Sequence, residues 1–201
     1  MTQIVNETIR GRQPTVELLD LFPWQGEWTE DDYFNLPDTS RIIELSEGRL
    51  IIPDMPTDEH QKISLKLSFA LYSYVSKHNI GEVRYSPLPM RLWKDKIREP
   101  DIVFMNNSHK DRISDKYWGV PDLAIEILSK STSKSDRVEK FYEYVMAGIL
   151  EYWIVDPFKH SIEVFSLDNG AYELFGKWGV GEIAKSKLLT DFDISIDEIM
   201  A

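Results

Sequence analysis

The chain has 201 residues, 42% of them hydrophobic and 28% charged, and its 23 basic and 34 acidic side chains give a net charge of −11. That mixture excludes collagen, coiled coil and intrinsic disorder, and the lack of cysteine excludes disulfide frameworks, thiol catalysis and thiolate zinc sites. Any metal must therefore sit on oxygen or imidazole. No apolar run approaches the ~18 residues of a membrane span, and the first residues have neither a basic start nor a hydrophobic stretch, so a cytoplasmic protein without membrane contact is expected. The acidity argues against a protein that simply coats nucleic acid and fits a site that gathers carboxylates around a cation.

Residues 1–28 have no clear period and contain Pro14, Pro23, Trp24 and Trp28, which predicts an irregular N-terminal arm before a single domain over 29–201. Thr29 followed by Glu30, Asp31 and Asp32 predicts a capped helix ending before Pro37. Residues 41–52 predict a hairpin turning at Glu47-Gly48. Thr57 caps a long helix whose Ile63, Leu67, Ala70, Leu71, Tyr74 and Val75 recur at helical spacing, with Gly81 at its end. Strands are predicted over 82–85, 90–93 and 101–105, then a polar loop over 106–118 and a central strand over 123–128. A second helix over 135–147 stops near Gly148. Strands over 151–155, 161–166 and 171–175 complete a meander, with turns at Asp156-Pro157 and Asp168-Asn169-Gly170.

Three features converge on the middle of the chain. Glu99-Pro100-Asp101 sets a carboxylate at a strand mouth, where proline costs no ladder hydrogen bond. Glu126 is a lone acid inside an apolar strand, expensive to bury unless paired or bound to metal. Lys140 stands on the helix that follows. Asp122 and Glu126 are four residues apart on one strand, about 13 Å between Cα atoms, too far to share an ion. Asp101 lies on another strand and meets Glu126 if the two strands pair. On the helix, Val138, Phe141, Val145 and Ile149 are expected to face the core, with Arg137, Lys140 and Tyr144 on the neighbouring stripe that borders the sheet.

The run EILSKSTSKSDRVEKFYEYVMAGILEYWIVDP from Glu126 to Pro157 resembles the signature of the Uma2-type endonucleases (DUF820) of the PD-(D/E)XK nuclease superfamily. TEDDYFNLP from Thr29, IELSEGRL from Ile43, Glu59-His60 and REPDIVF from Arg98 match in the same order, so the likeness runs from about Thr29 to the C-terminus. It implies an α/β (α+β) fold with a restriction-endonuclease-like core, a mixed sheet flanked by helices. It also implies that Asp101 is the Asp of the PD motif, Glu126 the acid of (D/E)XK, and Glu44 a further acid, with Glu47 a weaker candidate. Leu128 stands at the usual lysine position, and the lysine is displaced onto the next helix as Lys140. Lys130 replaces the proline usual in that loop.

The activity so implied is hydrolysis of DNA phosphodiester bonds with Mg²⁺, for which Mn²⁺ can substitute. Asp101, Glu126 and the Ile127 carbonyl would hold the ion, Lys140 would orient water or steady the phosphate, and Glu44 would complete the surroundings through water. His60, Arg137 and Tyr144 are the expected substrate contacts. Arg91, Lys94, Lys96, Arg98, Lys130 and Lys134, with Arg137 and Lys140, would offset the global acidity for a polyanion. The alternative is a catalytically silent nuclease fold that binds nucleic acid or protein, favoured by Leu128 and the negative charge. The late aromatics Trp153, Phe158, Phe165, Tyr172, Phe175 and Trp178 exceed the needs of one small hairpin and suggest a self-association surface, hence a homodimer.

Overall fold

The computed structural model describes residues 22–37 and 39–201, so most of the expected arm, residues 1–21, lies outside the described residues. Its last part docks on the following hairpin: the Gly26 and Trp28 amides both donate to the Gly48 carbonyl, and Trp28 is buried. Helix α1 (Glu30–Phe34) begins at a reciprocal capping box between Thr29 and Asp32. The hairpin is β1 (Glu44–Ser46) and β2 (Arg49–Ile51), turning at Glu47 and Gly48, both with positive φ. Helix α2 (Asp58–His78) is capped by Thr57, as its spacing predicts, and stops at Asn79 in the left-handed conformation. Gly81, expected to end the helix, instead opens β3 (Gly81–Tyr85). A Cβ there would stand 2.1 Å from the Met105 carbonyl oxygen, so glycine serves a close approach between strands and not a helix stop.

Strands β4 (Met90–Trp93) and β5 (Lys96–Arg98) close a small sheet of order β2-β1-β5-β4. The three-residue β5, charged at both ends, gives no periodic signal and is not among the predicted elements. From it the chain crosses through Glu99-Pro100-Asp101 into β6 (Ile102–Asn106), then β7 (Leu123–Ile127), β8 (Glu151–Asp156), β9 (Ser161–Asp168) and β10 (Ala171–Trp178). These form the main sheet, of order β10-β9-β8-β7-β6-β3. Only the β7–β8 pair is parallel, bridged by a wide π-type turn at Ser135–Glu139 that runs into α3 (Lys140–Ala147). The chain ends in the hairpin β11 (Ile183–Lys185) and β12 (Asp193–Ser195) and in α4 (Ile196–Met200), none of them predicted.

The main sheet separates two cores, because strand side chains alternate between faces. Ile125 and Ile127 pack with Ile63, Leu67 and Leu71 of α2. Ala124 and Leu128 pack with Tyr144, Ile149 and Tyr152 on the α3 side. Leu128 is thus a core residue. No helix among the described residues is long and apolar enough to cross a membrane.

Two expectations for side-chain orientation change. Val138 is exposed, and Phe141 and Val145 are only half-buried, whereas Asp136, Lys140 and Tyr144 are the buried face of that segment. Apolarity alone misplaces the face, because Lys140 and Tyr144 are drawn inward by their bonds to the buried Glu126 carboxylate. Among the late aromatics Trp153 is fully buried, and Phe158 and Phe175 are the exposed ones, with Leu174 beside Phe175 on β10.

Glu151 ties the C-terminal segment to the sheet. Its buried carboxylate accepts from Trp153 Nε1 at 2.7 Å, Ser186 Oγ at 2.6 Å, and the Lys187 and Leu188 amides at 2.7 and 2.8 Å. Glu151→Ala strands these donors and is expected to lower unfolding free energy by about 3 kcal/mol in urea titration; a loss below ~0.5 kcal/mol would remove this anchoring role.

Candidate active site

Pairing of β6 with β7 decides the geometry. Their antiparallel register matches Ile102 with Ile125 and Val103 with Ala124, and one step further sets Asp101 across from Glu126. The two acids, 25 residues apart in sequence, meet as the spacing argument requires. Asp101 Oδ2 accepts from the Ile127 amide at 2.7 Å and lies 3.2 Å from His60 Nε2 on the first turn of α2. The Ile127 main chain stands beside the same imidazole, whose Nδ1 is buried without a partner. Burial would lower the His60 pKa, but Asp101 outweighs it and raises it. Asp122 sits at the other end of β7, where it accepts from the Asn106 amide and pairs with His109, clear of this site.

Lys140 is the hub. Its ammonium is 2.9 Å from Glu126 Oε1, 3.0 Å from Glu44 Oε1 and 3.3 Å from Asp136 Oδ1, and the residue is only 5% exposed. Burial opposes the charge, but Glu126, Glu44 and Asp136 together drive its pKa well above the ordinary lysine value. It stays an ammonium at any working pH and cannot serve as a general base. Tyr144, one turn on, has no exposed surface and donates its hydroxyl to Glu126 Oε1 at 2.6 Å.

Glu44 is saturated. Arg98 donates to its Oε2 at 2.8 Å, while the Glu99 amide and Lys140 share Oε1. Burial would raise its pKa, yet Lys140 and Arg98 hold it down at about 2. Behind it, Arg98 also makes a two-pronged pair with Glu143 of α3, at 2.7 and 2.8 Å, and Lys96 adds a third bond to that carboxylate. Burial, and then the crowding of neighbouring acids, pushes Glu126 and Asp136 upward against the pull of Lys140.

Five carboxylates, Glu44, Asp101, Glu126, Asp136 and Glu143, thus face the three basic side chains Lys96, Arg98 and Lys140, with the His60 imidazole beside Asp101, so acids outnumber bases in the cluster. Such an imbalance in a buried cluster favours a divalent cation, and Mg²⁺ needs only one or two carboxylates because it keeps several waters. Among the described residues no three His, Asp or Glu side chains form a closed cage; the Lys140 ammonium stands where Glu44, Glu126 and Asp136 converge.

Asp101, Glu126, Ile127, Lys140, Glu44 and His60 come together as the sequence suggests, and Glu47 points to solvent, touching only Lys96. The expected substrate contacts Arg137 and Tyr144 are engaged internally instead. Arg137 is turned away, onto Glu163 and Asp156 of the neighbouring strands, and Tyr144 is enclosed. Much of the expected basic face is likewise consumed: Arg91 pairs with Glu30, Lys96 and Arg98 with Glu143, and Lys94, Lys130 and Lys134 remain exposed. Asp136, Arg98 and Glu143 do not figure among the sequence-derived site residues. The signal for Asp136 is its i−4 spacing from Lys140, and for Glu143 its i+3 spacing.

Glu99 is a further buried acid, with Oε1 accepting from the Ile43 amide at 3.0 Å and the Tyr33 hydroxyl at 3.2 Å, and Oε2 unpartnered. Burial raises its pKa to about 7 despite those two donors, and Glu44 adds to the rise.

A family described as "Uma2: Putative restriction endonuclease" matches residues 30–196. A crystal structure described as a putative nuclease belonging to DUF820 from Anabaena variabilis superposes with a TM-score of 0.71 at 22% identity, over 86% of this chain and 97% of that one. Part of the type IIG restriction endonuclease BpuSI aligns at 20% identity and a TM-score of 0.36, over 59% of this chain and 13% of that one. No curated protein matches.

An acid whose folded pKa lies above its unfolded value near 4.5 favours the fold when protonated, so the Glu99 contribution is complete below that value and is lost as pH rises through 7. Glu99→Gln is therefore expected to be more stable than wild type at pH 8, by roughly 2 kcal/mol, and to differ little at pH 4.5. Urea unfolding at both pH values in EDTA checks this, and an equal difference at both would refute it.

Proposed function

The chain belongs to the Uma2 family, and from that premise we propose that it is a Mg²⁺-dependent endonuclease that hydrolyses phosphodiester bonds in DNA. The observation that carries the reading is the meeting of Asp101 and Glu126 across β6 and β7 with the Lys140 ammonium 2.9 Å from Glu126. The donor set is all oxygen, suited to a hard cation, and the excess of acids over bases supplies the electrostatic reason for one to bind.

Asp101, Glu126 and the Ile127 carbonyl would hold the ion. Bound there, Mg²⁺ would lower the pKa of a water ligand and offset charge growing on the phosphate. The chain's own groups do the rest. Lys140 keeps a permanent positive charge beside the acids, where it stabilises phosphate oxygens as they gain charge. Tyr144 fixes the Glu126 carboxylate, and Arg98 fixes Glu44, so the partners of Lys140 are themselves held. His60, on a separate helix, orients Asp101 and sits where a phosphate approaching that carboxylate would meet it.

Nicking of supercoiled plasmid tests the proposal. Mg²⁺ or Mn²⁺ should support cleavage, EDTA should stop it, and Asp101→Asn or Glu126→Gln should each lose roughly a thousandfold with the circular dichroism spectrum retained. Lys140→Met should lose activity while still binding Mn²⁺. Cleavage unaffected by EDTA, or by both acid substitutions, would refute the assignment; DNA binding without cleavage would favour a silent nuclease fold.

A further inference from the structure

Asp136 is 1% exposed, and neither of its carboxylate oxygens has a hydrogen-bond partner among the described residues. Burying a carboxylate with so few donors is costly, and the nearby Thr132 hydroxyl and the Lys140 ammonium offset it only in part. Lys140, 3.3 Å from Oδ1, compensates only in part, because the same ammonium lies closer to Glu126 and Glu44. The contrast with Glu44 is informative. Glu44, the acid expected to complete an ion's surroundings, has both oxygens occupied by Arg98, the Glu99 amide and Lys140. Asp136 Oδ1 has only the longer Lys140 contact at 3.3 Å, and Oδ2 accepts no hydrogen bond.

The backbone is also specialised there. Asp136 sits in the π-type turn Ser135–Glu139, an uncommon conformation that recurs at functional sites. Asp136 and Lys140, four residues apart, lie on the same buried side while Val138 faces solvent. A helix of ordinary pitch needs no such widening to bury an apolar side chain. A buried, sparsely bonded carboxylate on an uncommon turn, in a cluster where acids outnumber bases, is the arrangement a multivalent cation rewards.

We propose that Asp136 is a third acid of the cation site, acting with Asp101 and Glu126; the inference rests on the cation-dependent reading of that site. Its carboxylate contributes charge and acceptor oxygens to the bound ion, whereas Glu44 serves to hold Lys140.

Mn²⁺ binding by isothermal titration calorimetry on the full chain tests this, comparing wild type, Asp136→Asn, Asp101→Asn, Lys140→Met and the Asp136→Asn/Lys140→Met pair. Near-ultraviolet circular dichroism and thermal unfolding in EDTA confirm that each is folded. Asp136→Asn should weaken Mn²⁺ binding about tenfold or more, in both the wild-type and Lys140→Met backgrounds, with unfolding in EDTA unchanged or shifted upward. Wild-type affinity in Asp136→Asn, with Asp101→Asn impaired, would make Asp136 a purely structural partner and overturn the proposal while leaving the cation-dependent reading intact. A loss that disappears in the Lys140→Met background would show that Asp136 acts through the ammonium, which also overturns it. No Mn²⁺ binding by wild type would sink both readings. Should Asp136→Asn fail to fold, Asp136→Ser takes its place in the same comparisons.

Discussion

One buried ammonium organises the centre of this molecule. Lys140 bridges Glu44 of the small sheet, Glu126 of the main sheet and Asp136 of its own segment, so three separate elements are held by a single charge. Arg98 repeats the pattern one layer back, joining Glu44 to Glu143. These pairs are buried, so removing one partner costs more than the pair contributes, because the survivor is left as an uncompensated charge. The seam between the two sheets is therefore specified by charge matching as well as by the apolar packing of Met90 and Leu92 with Val103 and Met105. The acids at that seam are the same acids from which a cation site would be built.

Much of this was legible in the residues themselves. Glu126 stood out because an acid in an apolar strand needs a partner, and its meeting with Asp101 was conditional on a strand pairing that β6 and β7 supply. The capping box at Thr29, the cap at Thr57 and the turn at Asp168-Asn169-Gly170 are local chemistry and were readable for that reason. The mixed sheet flanked by helices followed from the family likeness.

What was not legible depends largely on distance. The buried face of α3 was assigned to Phe141 and Val145 for their apolarity when it belongs to Lys140 and Tyr144, whose partner Glu126 stands on a strand before the helix. Arg98 and Lys96 looked like a surface for a polyanion because their partners, Glu44, Ser46 and Glu143, lie about 45 or more positions away. Strand β5 is too short to show a period, and the β11–β12 hairpin carries its apolar residues singly. Charge clusters in sequence therefore overstate the free positive surface whenever the counter-ions arrive from another part of the fold.

The position of the amine has a consequence for how this chain tolerates substitution. Because the ammonium comes from α3, the place two residues beyond Glu126 is freed from chemistry, and Leu128 fills it with apolar bulk against Tyr144 and Ile149. Packing and reactivity are thereby assigned to different stretches of backbone. The tail of β7 is free to drift among apolar residues of similar volume, while the turn and helix after it must be inherited as a unit.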